Sequence, residues 1–243
     1  MCVFTCSISL NNTDMTRNLH VGGLYHVYNF GVDGRDIFSD PLDSFRFTKA
    51  LEYFNTTSST KFFELFKDEH GLSPRTRSLR KREEEQRDKP EKLVSIIAFC
   101  LNTDHFHIVL RQEVEGGVAL FMRKLSVGYT NYFNKRYKRR GALFQGRYKS
   151  EYIEPGADLQ YVSAYVNLNN HVHDLEGNSH ICRSSMRDYV NPDNAYGFVA
   201  TSDVLYSFGG SREEYMDFAQ ETVQFIIDTR EHNKNFLRKE LHE

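Results

Sequence analysis

Cysteine is scarce in this 243-residue chain, and the four present, Cys2, Cys6, Cys100 and Cys182, fall at irregular spacing. Such spacing does not build the disulfide framework of a secreted domain, and Cys2 with Cys6 supplies only half a zinc clip. A reducing, cytoplasmic setting is expected. No run approaches the ~20 apolar residues of a membrane span. The apolar opening MCVFTCSISL has no basic start and meets the polar NNTD at once, so no secretory leader is expected either. A GxxxxGK[ST] loop is also missing, which excludes the common nucleotide-driven chemistry. Net charge is nearly absent, 31 Lys and Arg against 33 Asp and Glu leaving −2. That argues against a uniformly basic surface but says nothing of local patterning.

What is present suits an ordinary globular protein with a sizeable core: 40% hydrophobic residues, with 14 tyrosines and 19 phenylalanines. Charge is patterned. The segment KRYKRRGALFQGRYK, residues 135–149, holds seven Lys or Arg and no acid. Acids collect in Glu83-Glu84-Glu85 and in the run around Arg212 to Asp217.

Turn-rich residues make the first 20 or so a lead-in segment. Leu24 to Phe30 has the aromatic and β-branched character of a strand, and Asp43 can cap a helix carrying Phe45, Phe47, Leu51 and Phe54. Residues 55–90 then turn almost wholly polar, as expected of a charged insertion. Leu93 to Leu101 and HFHIVLRQ flank a short turn and read as a hairpin; Val118 to Arg136 reads as a helix. ALFQGRYKSEYI alternates like a strand, and Asp158 can cap a last helix, LQYVSAYVNLNN. The order strand, helix, hairpin, helix, strand, helix predicts an α+β, ferredoxin-like βαββαβ antiparallel sheet with helices on one face and an extra helix. Residues 21–176 form this domain, and 177–243 a mostly helical C-terminal extension, clearest at Arg212 to Asp228.

TDHFHIVL, residues 103–110, carries the chemistry. Alternate strand residues share a face, so His105 and His107 project together, about 7 Å apart along the strand, while Phe106 turns away. Two imidazoles can converge on one divalent cation, yet they do not complete a site. Half-buried strand histidines bonded to backbone remain the alternative. In the last helix Tyr165 and Asn169 are four residues apart, hence on one helical face, a phenol beside an amide oxygen. His26 reads as a supporting strand residue near the sheet edge.

Taken together and in order, several stretches resemble the single-tyrosine HUH transposases of the IS200-like superfamily, and among them the REP-associated tyrosine transposases. These are Tyr25-His26-Val27, Asp104 to His107, Phe144 to Ser150, Tyr165 to Asn170, Arg183 to Tyr189, and Phe208 to Tyr215. The resemblance spans roughly Gly22 to Phe218. Asp104 stands where Asn is usual, Asn170 where Pro is, and Cys182 where Trp is common.

The resemblance implies that His105, His107 and Asn169 hold one Mg²⁺ or Mn²⁺ and that Tyr165 is the nucleophile, with Tyr161 second to it. It implies cleavage of single-stranded DNA at hairpin-forming repeats, a 5′-phosphotyrosine intermediate and a free 3′-OH. Lys135, Arg136, Lys138, Arg139, Arg140, Gln145, Arg147 and Lys149 become candidate DNA contacts, with Tyr137, Phe144 and Tyr148 interleaved. A solvated helix end followed by a strand with core aromatics is the plainer alternative. A homodimer is compatible with the resemblance, and a membrane partner is not expected. Two rival readings are a non-catalytic single-stranded nucleic-acid-binding protein and a metal-dependent phosphodiesterase without a covalent intermediate.

Overall fold

The computed structural model describes residues 19–58, 91–172 and 180–240. Most of the charged insertion, the lead-in up to residue 18 and His173 lie outside them. Among the described residues one five-stranded sheet runs in the order β4-β1-β3-β2-β5. Its strands are β1 (Leu24–Phe30), β2 (Val94–Leu101), β3 (His105–Gln112), β4 (Lys149–Ile153) and the two-residue β5 (Arg183–Ser184). All pair antiparallel, and the first four strands have the ferredoxin-like arrangement expected from the element order.

One face of the sheet carries α1 (Pro41–Tyr53) and α2 (Gly117–Arg136). Tyr25, Val27, Phe106, Ile108 and Leu110 pack there against Phe47, Leu51, Phe121, Leu125 and Tyr129. The opposite face is covered by the extra helix α3 (Ala157–Asn167), the short α4 (Asn169–Val172), α5 (Met186–Val190) and α6 (Ser202–Leu205), and the long α7 (Arg212–Glu240). Ile97, Ala98, Cys100 and Val109 meet Ala164, Val166, Tyr189, Tyr215 and Ala219 on that side. A register shift between Ile96 and Ala98 lets neighbouring residues Ile97 and Ala98 both face it, because a bulge resets the period of two. Among the described residues no helix is long and apolar enough to cross a membrane.

Three local expectations are corrected. Helix α1 is capped by Asp40, whose carboxylate accepts from the Leu42 and Asp43 amides with Pro41 in the first turn. Asp43 lies one turn in, buried, and accepts from the Ser39 amide at 3.0 Å. The fourth strand begins only at Lys149, since Gly141 and Gly146 take left-handed φ of 89° and 72° and hold the intervening segment as a loop. Leu143 and Phe144 from that loop are nevertheless core residues. The last helix is capped at Gly156, not Asp158, and it is interrupted: α3 ends at Asn167, Leu168 leaves helical geometry at φ −111° and ψ 19°, and Asn169 opens α4.

The C-terminal motifs serve to hold α3 in place. Tyr215 Oη accepts from Asn167 Nδ2 at 2.8 Å, and Asn167 Oδ1 accepts from Ser185 Oγ at 2.5 Å. Ser185 Oγ in turn accepts from the Phe99 amide at 2.8 Å, so α7, α3 and β2 are joined through buried polar groups. Arg212 adds bonds to the Asp188 and Tyr189 carbonyls at 2.7 and 2.6 Å.

Candidate active site

Beyond the edge of α3 the second sheet face changes from apolar to polar. His26, Tyr28 and Phe30 alternate along β1, and His105 and His107 along the adjacent β3, all on this face, while Phe106 points into the opposite core against Phe47. The period of two therefore does what the sequence pattern predicts. Both histidines are nearly sealed from solvent, His105 4% and His107 5% exposed, and their rings stand edge-to-face with centroids 5.1 Å apart.

Helices α3 and α4 bring the remaining groups. The Tyr165 ring lies edge-on to His107 at 5.7 Å and to His26 at 6.3 Å. Asn169, fully buried, places Oδ1 3.3 Å from His105 Nε2. Because the helix breaks between them, the two residues do not ride one continuous helical face. The break turns the start of α4 towards β3, and Asn169 meets His105 while Tyr165 meets His107. The contact between strand pair and helix pair that the sequence leaves open is made.

Each histidine is supported from behind. His105 Nδ1 lies 2.6 Å from Asp104 Oδ1, and His105 Nε2 lies 2.8 Å from Asn102 Nδ2, which also donates to Asn169 Oδ1 at 2.7 Å. His107 Nδ1 lies 2.8 Å from His26 Nε2. His26 Nδ1 faces Glu151 at 3.9 Å, and Glu151 accepts from Tyr28 Oη at 2.9 Å. The nearby His26 ring, with the hydrogen bond from Tyr28, holds the Glu151 carboxyl below its ordinary range despite partial desolvation.

The donor set fits one divalent cation. It comprises two imidazoles and an amide oxygen, and the Asn102 nitrogen already bridges His105 Nε2 and Asn169 Oδ1 as a hydrogen donor would in a cation's place. The buried Asn169 Nδ2 has no hydrogen-bond partner among the described residues, so the amide is oriented by its oxygen. No cluster of three His, Cys, Asp or Glu side chains that could hold a metal exists among the described residues. The third protein donor here would have to be the amide.

The candidate DNA contacts divide. Lys135, Lys138, Arg140, Gln145, Arg147 and Lys149 are exposed. Lys149 Nζ lies 5.8 Å above the Tyr28 ring and 6.0 Å from that of Phe30, beside the histidines. Arg139 is folded back onto Phe133 at 5.6 Å and bonded to Asn134 at 3.1 Å. Arg136 is engaged within the fold: its guanidinium is clamped by Asp40 and by the buried Asp43, tying α2 to the start of α1. Of the interleaved aromatics, Phe144 is core and Tyr137 donates to Asp43 at 2.7 Å. Among other tyrosines on the helices, Tyr129 donates to the Ile37 carbonyl at 2.6 Å and Tyr132 to Asp43 at 2.9 Å, which marks both as packing residues.

Tyr28, Asn102 and Glu151 escape the sequence reading. A signal existed for Tyr28, two residues after His26 on the same strand face. Asn102 sits in the turn between β2 and β3, where no periodicity applies, and Glu151 requires the pairing of β4 with β1, which sets it opposite His26.

Residues 78–169 match the family model described as IS200-like transposase, a span that includes His105, His107, Tyr165 and Asn169. No curated protein matches the chain. A solved structure described as a REP-associated tyrosine transposase bound to a REP hairpin is similar over 65% of this chain and 72% of that one, at 13% identity and a TM-score of 0.40.

Proposed function

Residues 78–169 match the IS200-like transposase model, and we propose that the chain cleaves and rejoins single-stranded DNA, with Tyr165 as nucleophile. The observation that carries this reading is the meeting of Tyr165 with His107 at 5.7 Å while Asn169 Oδ1 reaches His105 Nε2 at 3.3 Å. A phenol, two imidazoles and an amide oxygen from three separate elements converge at one place, which core packing alone does not require.

His105, His107 and Asn169 would hold Mg²⁺ or Mn²⁺. When bound, the ion supplies Lewis-acid polarisation of a phosphate oxygen and stabilises the charge that builds there. The chain's own groups do the rest. Tyr165 Oη forms a bond to phosphorus as the bond to the 3′-oxygen breaks; the phenolic proton passes to solvent, and the departing oxygen is protonated to a 3′-OH. The 5′-phosphotyrosine keeps one phosphodiester, so a later 3′-OH can attack it, restore the DNA bond and release Tyr165 without an external energy source. Lys149 over Tyr28 and Phe30 offers a charge and two ring faces to an unpaired strand at the same place. Hairpin-forming repeats are the proposed substrate, on the strength of the motif resemblance.

Incubation with end-labelled single-stranded hairpin DNA and Mn²⁺ tests this. A denaturation-resistant protein–DNA adduct is expected, and it should vanish in Tyr165→Phe. Cleavage that persists in that variant without an adduct would favour a hydrolytic phosphodiesterase; DNA retention with neither would favour a binding protein. Loss of the adduct in Tyr161→Phe or Tyr28→Phe but not in Tyr165→Phe would move the nucleophile.

A further inference from the structure

The supports behind the two histidines repeat one pattern. Asp104 Oδ1 lies 2.6 Å from His105 Nδ1. An ionised carboxylate only accepts, so that ring nitrogen carries the proton and Nε2 the lone pair. Asn102 agrees from the other side, since an amide nitrogen only donates and this one lies 2.8 Å from His105 Nε2.

At His107 the chain is longer by one imidazole. Glu151 Oε2 lies 3.9 Å from His26 Nδ1, a through-space charge contact longer than a hydrogen bond, with its other oxygen engaged by Tyr28. The carboxylate draws the His26 proton to Nδ1, which leaves His26 Nε2 as an acceptor. His107 Nδ1, 2.8 Å away, must then donate, and His107 Nε2 keeps its lone pair. His26 is 8% exposed, so water competes little for this bond.

We infer that two carboxylates, Asp104 directly and Glu151 through His26, hold both site histidines in the Nδ1–H tautomer, making Asp104, His26 and Glu151 positioning residues for the cation. The inference rests on the cation-binding reading above. Its physical content is separate: a neutral imidazole left to water favours the Nε2–H form, in which the nitrogen that should face the cation is blocked. Fixing the proton at Nδ1 in advance removes that cost. The two supports are independent, so each should govern one ring only.

The test uses the full-length protein, ¹⁵N-labelled and free of metal, near neutral pH. Long-range ¹H–¹⁵N spectra report which nitrogen of each histidine ring is protonated, and titration calorimetry with Mn²⁺ reads affinity. Nδ1–H is expected at His105 and His107. Asp104→Ala should release His105 alone, and His26→Phe or the milder Glu151→Ala should release His107 alone, each weakening Mn²⁺ binding by roughly 10- to 100-fold. Asp104→Asn, which keeps an acceptor without the charge, should retain the His105 tautomer. Nε2–H at either ring in the unaltered protein, or tautomers that ignore these substitutions, overturns the inference. If the spectra behave as expected but the unaltered protein binds no Mn²⁺, it is the cation reading that falls.

Discussion

The side-chain oxygen of Asn169 and the Nε2 of His105 share one hydrogen-bond donor, the Asn102 amide nitrogen, at 2.7 and 2.8 Å, and lie 3.3 Å from each other. All three groups are buried, so the bridge stabilises the fold as well as the site. Asn169→Ala removes the oxygen and leaves one hydrogen of a buried amide unpaired. Stability should fall by about 1–3 kcal/mol, and Mn²⁺ affinity with it. Denaturant melts paired with calorimetry check both; an unchanged Mn²⁺ affinity would remove Asn169 from the ligand set.

Tyr165 is only half-buried, so losing its hydroxyl should scarcely alter folding. Tyr165→Phe should nonetheless reduce strand cleavage by roughly four orders of magnitude or more, as expected when a nucleophile is deleted. Single-turnover cleavage beside a thermal melt separates the two effects, and wild-type cleavage in this variant would sink the assignment.

Lys149 and Arg136 belong to the same basic segment but should behave differently. Exposed Lys149 changed to Ala should lower the slope of log affinity for single-stranded DNA against log salt by about 1. Arg136→Ala should leave that slope alone and destabilise the fold, because buried Asp43 and its neighbour Asp40 lose their cation. Equal slopes in Lys149→Ala and the unaltered protein would remove Lys149 from the DNA surface.

Asn167 joins Tyr215 and Ser185 in one buried network behind the proposed nucleophile's helix. Tyr215→Phe leaves Asn167 Nδ2 without its acceptor and should cost about 1–3 kcal/mol. Cleavage should fall too, through misplacement of α3, while Mn²⁺ affinity changes less than in Asn169→Ala. Comparing those two variants in both assays decides the point.

Burial pushes the Tyr215 phenol and the Cys100 thiol each up to about 12, and raises Tyr129 and Tyr189 well above their ordinary value. These groups are neutral in the fold and ionise more readily once unfolded. Their contribution to stability is therefore complete below the ordinary thiol and phenol values, about 8.5 and 10, and is lost as pH rises above them. Tyrosinate absorbance and circular dichroism followed from pH 8 upward should show the buried phenols ionising together with loss of structure. Early ionisation with the fold intact would contradict this.

Much of this protein could be read from residue order. Element order predicted the ferredoxin-like sheet, because alternating strand patterns and 3.6-residue helical patterns are local properties. The period of two put His105 and His107 on one face and Phe106 on the other. Where chain direction depends on longer contacts, local reading failed: Asp40 rather than Asp43 caps α1, glycines delay β4, and the helix breaks at Leu168. Only tertiary structure set Asn102 beside Asn169, brought Glu151 of β4 opposite His26 of β1, and committed Arg136 to two aspartates. Those relations join residues tens of positions apart, and no local periodicity encodes which strand edge or helix end will come to lie beside another.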